Sequence, residues 1–512
     1  MKKIFVFLAV LLVSVSACKN PFLKKMLVED EKEIESPAPA TPANPGVPEP
    51  QLPKYTITFG VEGGTGGTLK AQVDGNEIHT GDSVEQGKTL VFTAKPAPDY
   101  VVEQWTKGGT VIGEAGTDTS YTYAVTADAD IKVKFQSLFV EGGASLIVSP
   151  DKLDIEVTVT TADNSSVRIE GCTETELTSG TQTVLHAKGT RVILKGNIIK
   201  LYCGSNQLTA LDVQGCTALE RLGCSDNQLT ALNVQGCTAL KELYCLGNQL
   251  TALNVQGCTA LESLDCRDNQ LTALNMQGLT ALQTLWCYNN QLTALNVQGL
   301  TALQTLDCSN NQLTALNVQG CTALERLGCD NNQLTALDVQ GLTTLYVLVC
   351  RYNELTALAV QGLTALERLG CGYNQLTALN VQGLTALQSL GCYNNQLTAL
   401  NVQGLTALQT LWCYNNQLTA LNVQGLTALE RLECWGNQLT ADAFKKLFTD
   451  LSVRADSDNA KCVLYTERTG VTEGNHTDFT APPDLADAFN DAKNNKKWKM
   501  YKLNGSGPWV EI

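Results

Sequence analysis

Twelve cysteines keep one beat: Cys203, Cys224, Cys245, Cys266, Cys287, Cys308, Cys329, Cys350, Cys371, Cys392, Cys413 and Cys434 stand 21 residues apart. Thiols so placed could cross-link, ligate a metal or simply fill space. Four more, Cys216, Cys237, Cys258 and Cys321, occupy a slot that is otherwise Leu; the interchange marks a small apolar core site, because free Cys behaves as a buried hydrophobe. Neighbouring parallel strands would hold the ladder Cα atoms about 4.8 Å apart, within disulfide range, but the side-chain direction of an in-register pair is unfavourable. An Asn follows each ladder Cys by three residues, from Asn206 to Asn437, and Cys-x-x-Asn repeated along a line converges on no tetrahedral metal site. The expectation is reduced, buried thiols, with no metal and no cofactor.

Catalytic patterns are absent from the sequence. His79, His186 and His476 lie in three different segments, and there is no HExxH, GxSxG or Cys-x-x-Cys motif. Gly81 and Gly87-Lys88-Thr89 imitate a phosphate loop, but five residues separate the glycines where that motif has four, and a strand-like LVFTAK follows instead of a helix. A hairpin turn is expected there, and no enzymatic activity. A net charge of −15 over 512 residues argues against nucleic acid, whose phosphates need a basic face.

Binding chemistry is better represented. Numbering each 21-residue copy from its first Leu (Leu219 opens the second), positions 6, 9, 11 and 12 are the same in all twelve copies. Position 5 runs from Tyr202 and Gly223 through Trp286 and Asp307 to Glu433; position 7 is as varied, and 3 and 8 nearly so. Those columns carry the candidate ligand-binding residues: Tyr202, Tyr244, Trp286, Tyr288, Tyr352, Tyr373, Tyr393, Trp412, Tyr414 and Trp435, with Arg326, Arg351, Arg368 and Arg431. Exposed Trp, Tyr and Arg are the residues of binding hot spots. Cross-strand aromatics also stabilise sheets, and the two roles are compatible. Neutral drift would vary the opposite face as well, yet NVQG at positions 15 to 18 barely changes.

The elements that position these columns follow from the period. Self-similarity at 21 residues means a solenoid. Positions 1, 4 and 6, the Asn at 9 and the Leu at 11 resemble LxxLxLxxNxL, the leucine-rich-repeat signature, with Cys at the third Leu. The resemblance implies a repeat solenoid with a parallel sheet on its concave face. Positions 3 to 7 would form the strand, 4 and 6 facing in and 3, 5 and 7 facing out. Twelve strands at about 4.8 Å make a sheet about 55 to 60 Å long. The Asn at position 9 would turn the chain out of the sheet, bonding its backbone groups. Gly at position 18 and the short apolar spacing leave no room for a full helix on the convex side.

Six segments are expected. Lys2, Lys3, the apolar run Ile4 to Val15 and the tetrapeptide Val15-Ser16-Ala17-Cys18 resemble the signal peptide and lipobox of bacterial lipoproteins over 1–17, which implies acylation of Cys18. A lipidated acidic and Pro-rich tether fills 18–53. A small all-β domain spans 54–136; its GGTGGTLKAQVDG and the stretch Tyr100 to Trp105 resemble the β-repeat modules related to internalin B-repeats. A β-rich N-terminal cap covers 137–197, the twelve repeats 198–439, and a helix-strand-helix-strand C-terminal cap 440–512; caps are needed because end repeats expose apolar surface.

The NQLTALNVQGLTAL form looks like that of spirochaete leucine-rich-repeat surface lipoproteins. This resemblance implies a cell-surface adhesin, held at the bacterial outer membrane or cell surface by its lipid anchor alone. Its partner would be a protein or glycan ligand on host cells, matrix or other bacteria. A glycan-binding module on the same aromatic face and a passive envelope spacer are the alternatives.

Overall fold

The computed structural model describes residues 51–97, 100–505 and 509–512. The segments expected as signal peptide and tether, Cys18 included, lie outside the described residues except for 51–53. Among those described, no helix is long and apolar enough to cross a membrane.

The first module is all β. One sheet orders Asp82–Glu85, Lys54–Val61, Ala129–Ser137, Tyr100–Lys107 and Thr110–Val111; a second orders Asn76–Ile78, Gly67–Val73, Thr89–Pro96 and Ser120–Ala124. Their alternating inward residues, among them Ile57, Leu90, Phe92, Ile131 and Val133, make a core of their own around the fully buried Trp105, whose indole N–H donates to Asp118 O at 2.8 Å. The sequence Gly87-Lys88 forms the expected turn: Gly87 has φ +86° and Lys88 N donates to Glu85 O at 3.3 Å.

From Ala144 onward one continuous apolar core runs to Met500. Gln182–His186 and Ile198–Tyr202 flank Asp154–Thr161 antiparallel; from Ile198–Tyr202 twelve strands run parallel, one per copy, in a sheet of seventeen. The register is strict, with Leu222 opposite Leu243 and every later position 4 opposite the next. In the first eleven copies all seven apolar positions are buried, as in Leu303, Leu306, Cys308, Leu313, Leu316, Val318 and Cys321. After the first copy, whose strand Ile198–Tyr202 has five residues, the strands are shorter than expected and cover positions 3 to 5, as in Arg221–Gly223. Pairing nevertheless continues past them: Cys224 N donates to Tyr244 O at 2.8 Å, and Asp226 N to Leu246 O at 2.9 Å. What ends the strand is position 8, which has a positive φ, between +50° and +64°, in all twelve copies.

The Asn at position 9 does what the sequence predicts and also joins the copies. Asn311 Nδ2 donates to Cys308 O at 3.0 Å in its own copy and to Cys287 O at 3.1 Å in the preceding one, while its Oδ1 accepts from Leu292 N at 2.9 Å. All twelve asparagines are buried. Each backbone group left unpaired would cost about 1–3 kcal/mol, and each Asn serves several. The ladder closes on the caps: Asn206 exchanges bonds with Glu156 N and O at 2.8 and 2.7 Å, and Asn475, beyond the last copy, takes the next rung with Leu439 N at 2.9 Å and Cys434 O at 2.9 Å.

No helix lies within the copies among the described residues. Their other side is built of turns, with Cys237 N to Val234 O at 3.1 Å repeated down the stack, and Gly at position 18 supplying φ of +81° to +91° from Gly236 to Gly425. Beyond the copies, Thr440 caps helix Ala441–Asp450 through its Oγ1 and Ala443 N, 3.2 Å apart, burying Phe444, Leu447 and Phe448. Strands Lys461–Thr466, Lys499–Leu503 and Trp509–Glu511 extend the sheet, with helix Pro483–Asn494 between the first two.

All eighteen described cysteines are unpaired and buried. Burial pushes the thiols of Cys203, Cys216 and Cys237 up to about 12 and holds Cys224 and Cys245 well above the ordinary range. An unfolded thiol ionises near about 8.5, so above that pH the unfolded chain loses protons that the folded chain keeps. Stability is therefore intact below about pH 8.5 and lost as pH rises beyond it. The denaturation midpoint in urea should be level from about pH 6 to 8 and fall steeply from about pH 9, and the described thiols should stay unreactive toward a thiol reagent at about pH 8 until denaturant is added.

Candidate functional site

The varied columns lie on the exposed face and rim of the long sheet, where register aligns position 3 with position 3 and position 5 with position 5 of the next copy. The candidate side chains separate according to what already occupies them. In the first copies Arg221 pairs with Glu242 at 3.1 Å, and Tyr244 OH lies 3.2 Å from the same carboxylate. Tyr202 lies beside Gly223, where an added Cβ would come within 2.6 Å of its ring. Arg267 donates to Tyr288 OH at 2.8 Å and faces Asp265 at 3.5 Å. Trp286 sits in register between Asp265 and Asp307.

In the later copies Arg326 engages the Tyr346 hydroxyl and lies over its ring at 4.8 Å. Arg351 pairs with Asp330 at 3.0 Å; burial pushes that carboxyl above its usual range, and the arginine pulls it back only in part. Arg431 donates to Glu433 at 2.8 Å, which also accepts from the Trp412 indole at 3.0 Å. Tyr346 and Asp330 were not among the residues expected at the site, and pairing is what recruits them. Arg368 differs: it is exposed and, among the described residues, has no side-chain partner.

Five rings form one continuous run. Tyr352 stacks on Tyr373 with centroids 4.2 Å apart and planes 14° apart, and Tyr373 meets Tyr393 edge-on at 5.6 Å. Tyr393 stacks on Tyr414 at 4.6 Å, and Tyr414 on Trp435 at 4.4 Å. Burial in that stack pushes the Tyr414 phenol up. Trp435 itself is a correction to the expected exposed column: it is 6% exposed and packs with Val463 and Leu503 into a small core shared with the C-terminal cap. The sequence pattern of its own copy gave no sign of this, because its neighbours come from residues some 30 and 70 positions later.

A second correction concerns position 8. Its variety is limited by the backbone, for nine of its twelve occupants are Asn, Asp or Gly, the residues that tolerate positive φ. Along this rim they form side-chain pairs, Asn289 with Asp268, Asn331 with Asn310 and Asn415 with Asn394, at 2.6 to 2.8 Å. Tyr352 and Tyr373, at φ +54° and +53°, break the rule while staying 48% and 42% exposed. Left-handed backbone costs roughly 1–2 kcal/mol per ordinary residue, whereas one stacked pair returns about 0.5–1.5 kcal/mol. The stack does not offset two such conformations, and strain of this kind clusters at functional surfaces.

Residues 259–302 and 301–344 match the family model described as Leucine Rich repeats (2 copies), and residues 55–138 match the Divergent InlB B-repeat domain. The chain thus carries a leucine-rich-repeat solenoid behind an InlB B-repeat-like module. Among solved structures it is similar to the functional domain of InlJ from Listeria monocytogenes, which includes a cysteine ladder, at 27% identity and TM-score 0.41 over 59% of this chain and 73% of that one. It is similar to an internalin, inlF, from the same organism at 21% identity and TM-score 0.48, over 60% of this chain and 87% of the other. YopM from Yersinia enterocolitica follows at 24% identity and TM-score 0.42, over 60% and 64% respectively. No curated protein matches the chain.

Because the strain at position 8 is relieved by a residue that accepts positive φ, the double variant Tyr352→Asn/Tyr373→Asn should be at least as stable as the parent, by up to about 1 kcal/mol. Urea denaturation of the two proteins side by side measures this; a marked loss of stability would mean that the tyrosines serve the fold.

Proposed function

We propose that this protein is an extracytoplasmic binding protein, a lipid-anchored adhesin of the bacterial surface, whose solenoid presents one diversified face to a macromolecular partner. The observation that carries the reading is the division within each copy. The constant positions 6, 9 and 11 are buried, and the Asn at 9 is bonded to the neighbouring copy, as Cys308, Asn311 and Leu313 are, while the varied positions 3, 5 and 7 lie together on one solvent-facing side of the sheet. A spacer needs no such division. The β module and the tether before it would hold that face away from the membrane, and Cys18 would carry the acyl chains, as in the spirochaete surface lipoproteins that the repeat form resembles. Two or three such chains anchor stably at about 0.8 kcal/mol per buried CH₂.

The partner favoured is a protein on host cells, matrix or other bacteria. Glycan binding is the less favoured reading, because most of the aromatic surface on the late copies is already engaged within the chain. A net charge of −15 again speaks against nucleic acid, and no catalytic role is assigned.

Two outcomes are expected. The variant Trp286→Ala/Tyr352→Asn/Tyr373→Asn/Trp412→Ala should lose attachment of expressing cells to host-cell or matrix surfaces while keeping its thermal transition; undiminished attachment would favour a spacer. Changing Cys18→Ala should abolish incorporation of labelled palmitate and move the protein from the membrane to the soluble fraction.

A further inference from the structure

The rim of the eighth to eleventh copies offers more than unspecific stickiness. Tyr352 and Tyr373 face each other at 14°, and Tyr393 and Tyr414 do the same. Rings stacked along the solenoid use faces on one another, and the rest of Tyr352 and Tyr373 stays open, 48% and 42% exposed. A ring edge carries the positive end of the aromatic quadrupole, and a phenol hydroxyl donates. Five residues before Tyr373 in the same copy, on the order of 15 Å at about 3.3 Å per extended residue, stands Arg368. Of the six arginines at positions 3 and 7, the other five hold a carboxylate or a tyrosine hydroxyl. Arg368, exposed, holds none among the described residues. Its partners across the sheet are Val347 on one side and Ser389 on the other, neither of them able to neutralise the guanidinium.

Resting on the binding role argued above, we propose that the Arg368–Tyr373–Tyr352 surface is the specificity-determining part of the face and that it takes a protein loop or terminus bearing a carboxylate side chain. Positive ring edges, phenol donors and an uncompensated guanidinium all select anionic oxygen, and Arg holds a carboxylate bidentately. A sugar ring would instead stack on an aromatic face, and the facing sides of Tyr352 and Tyr373 are turned on each other. An acidic polysaccharide is therefore the alternative outcome of the test.

The test pans a random twelve-residue phage-displayed peptide library on the full chain and measures enriched synthetic peptides by fluorescence polarisation. Peptides containing Asp or Glu should emerge, and Arg368→Glu should weaken them at least tenfold. Replacing the peptide's acid with Lys should restore binding to the Arg368→Glu protein. The double variant Tyr352→Asn/Tyr373→Asn should weaken the parent peptide with its thermal transition kept. Peptides without acid, indifference to Arg368→Glu, no enrichment, or heparin binding lost with these same substitutions would each overturn the assignment. Failure here is separable from failure of the binding role: cell attachment that needs Trp286 and Trp412 but not Arg368 leaves the face a binding surface and removes only this site.

Discussion

The asparagine ladder is the constraint on which the rest of the solenoid depends. One side chain, such as Asn311, bonds the main chain of two successive copies, at the place where the backbone leaves the sheet and would otherwise bury unpaired groups. Since those groups cannot reach water, the residue cannot vary, and the 21-residue period cannot slip. The cysteine seam is secondary: it fills the space beneath the strand with a side chain small enough for the turn.

A stack held by neighbour contacts has stability that is close to a sum over copies and their junctions. Its ends are then the vulnerable points, and both are closed by the same bonds as the interior. Glu156 lends its backbone at one end and Asn475 stands in for the missing copy at the other. Such a frame tolerates almost any side chain at positions 3, 5 and 7, which explains how Gly391 and Trp412 can lie opposite one another in one sheet.

Much of this was legible in the chain itself. Spacing alone located the buried seam, the exposed columns, the bend at Asn and the cap helix after Thr440. Burial of Trp435 was not legible, because it depends on Val463 and Leu503 arriving from the C-terminal segment. Position 8 looked like a freely varied column; its preference for Asn, Asp and Gly was the available signal of a left-handed backbone, and only against that rule do Tyr352 and Tyr373 stand out. Pairing of arginines was equally out of reach, since which carboxylate lies across the strand from Arg351 is a matter of register and rotamer together.

The copies opening at Leu282 and Leu408 are identical over 21 residues and lie 126 residues, six periods, apart. Recombination between their coding segments would remove those six periods in frame. Every junction would then match as before, from the first strand to Asn475, yet Tyr352, Arg368 and Tyr373 would all be gone. A single genetic event thus separates a chain that displays this rim from a shorter one, built on the same junctions, that does not, without passing through a misfolded protein.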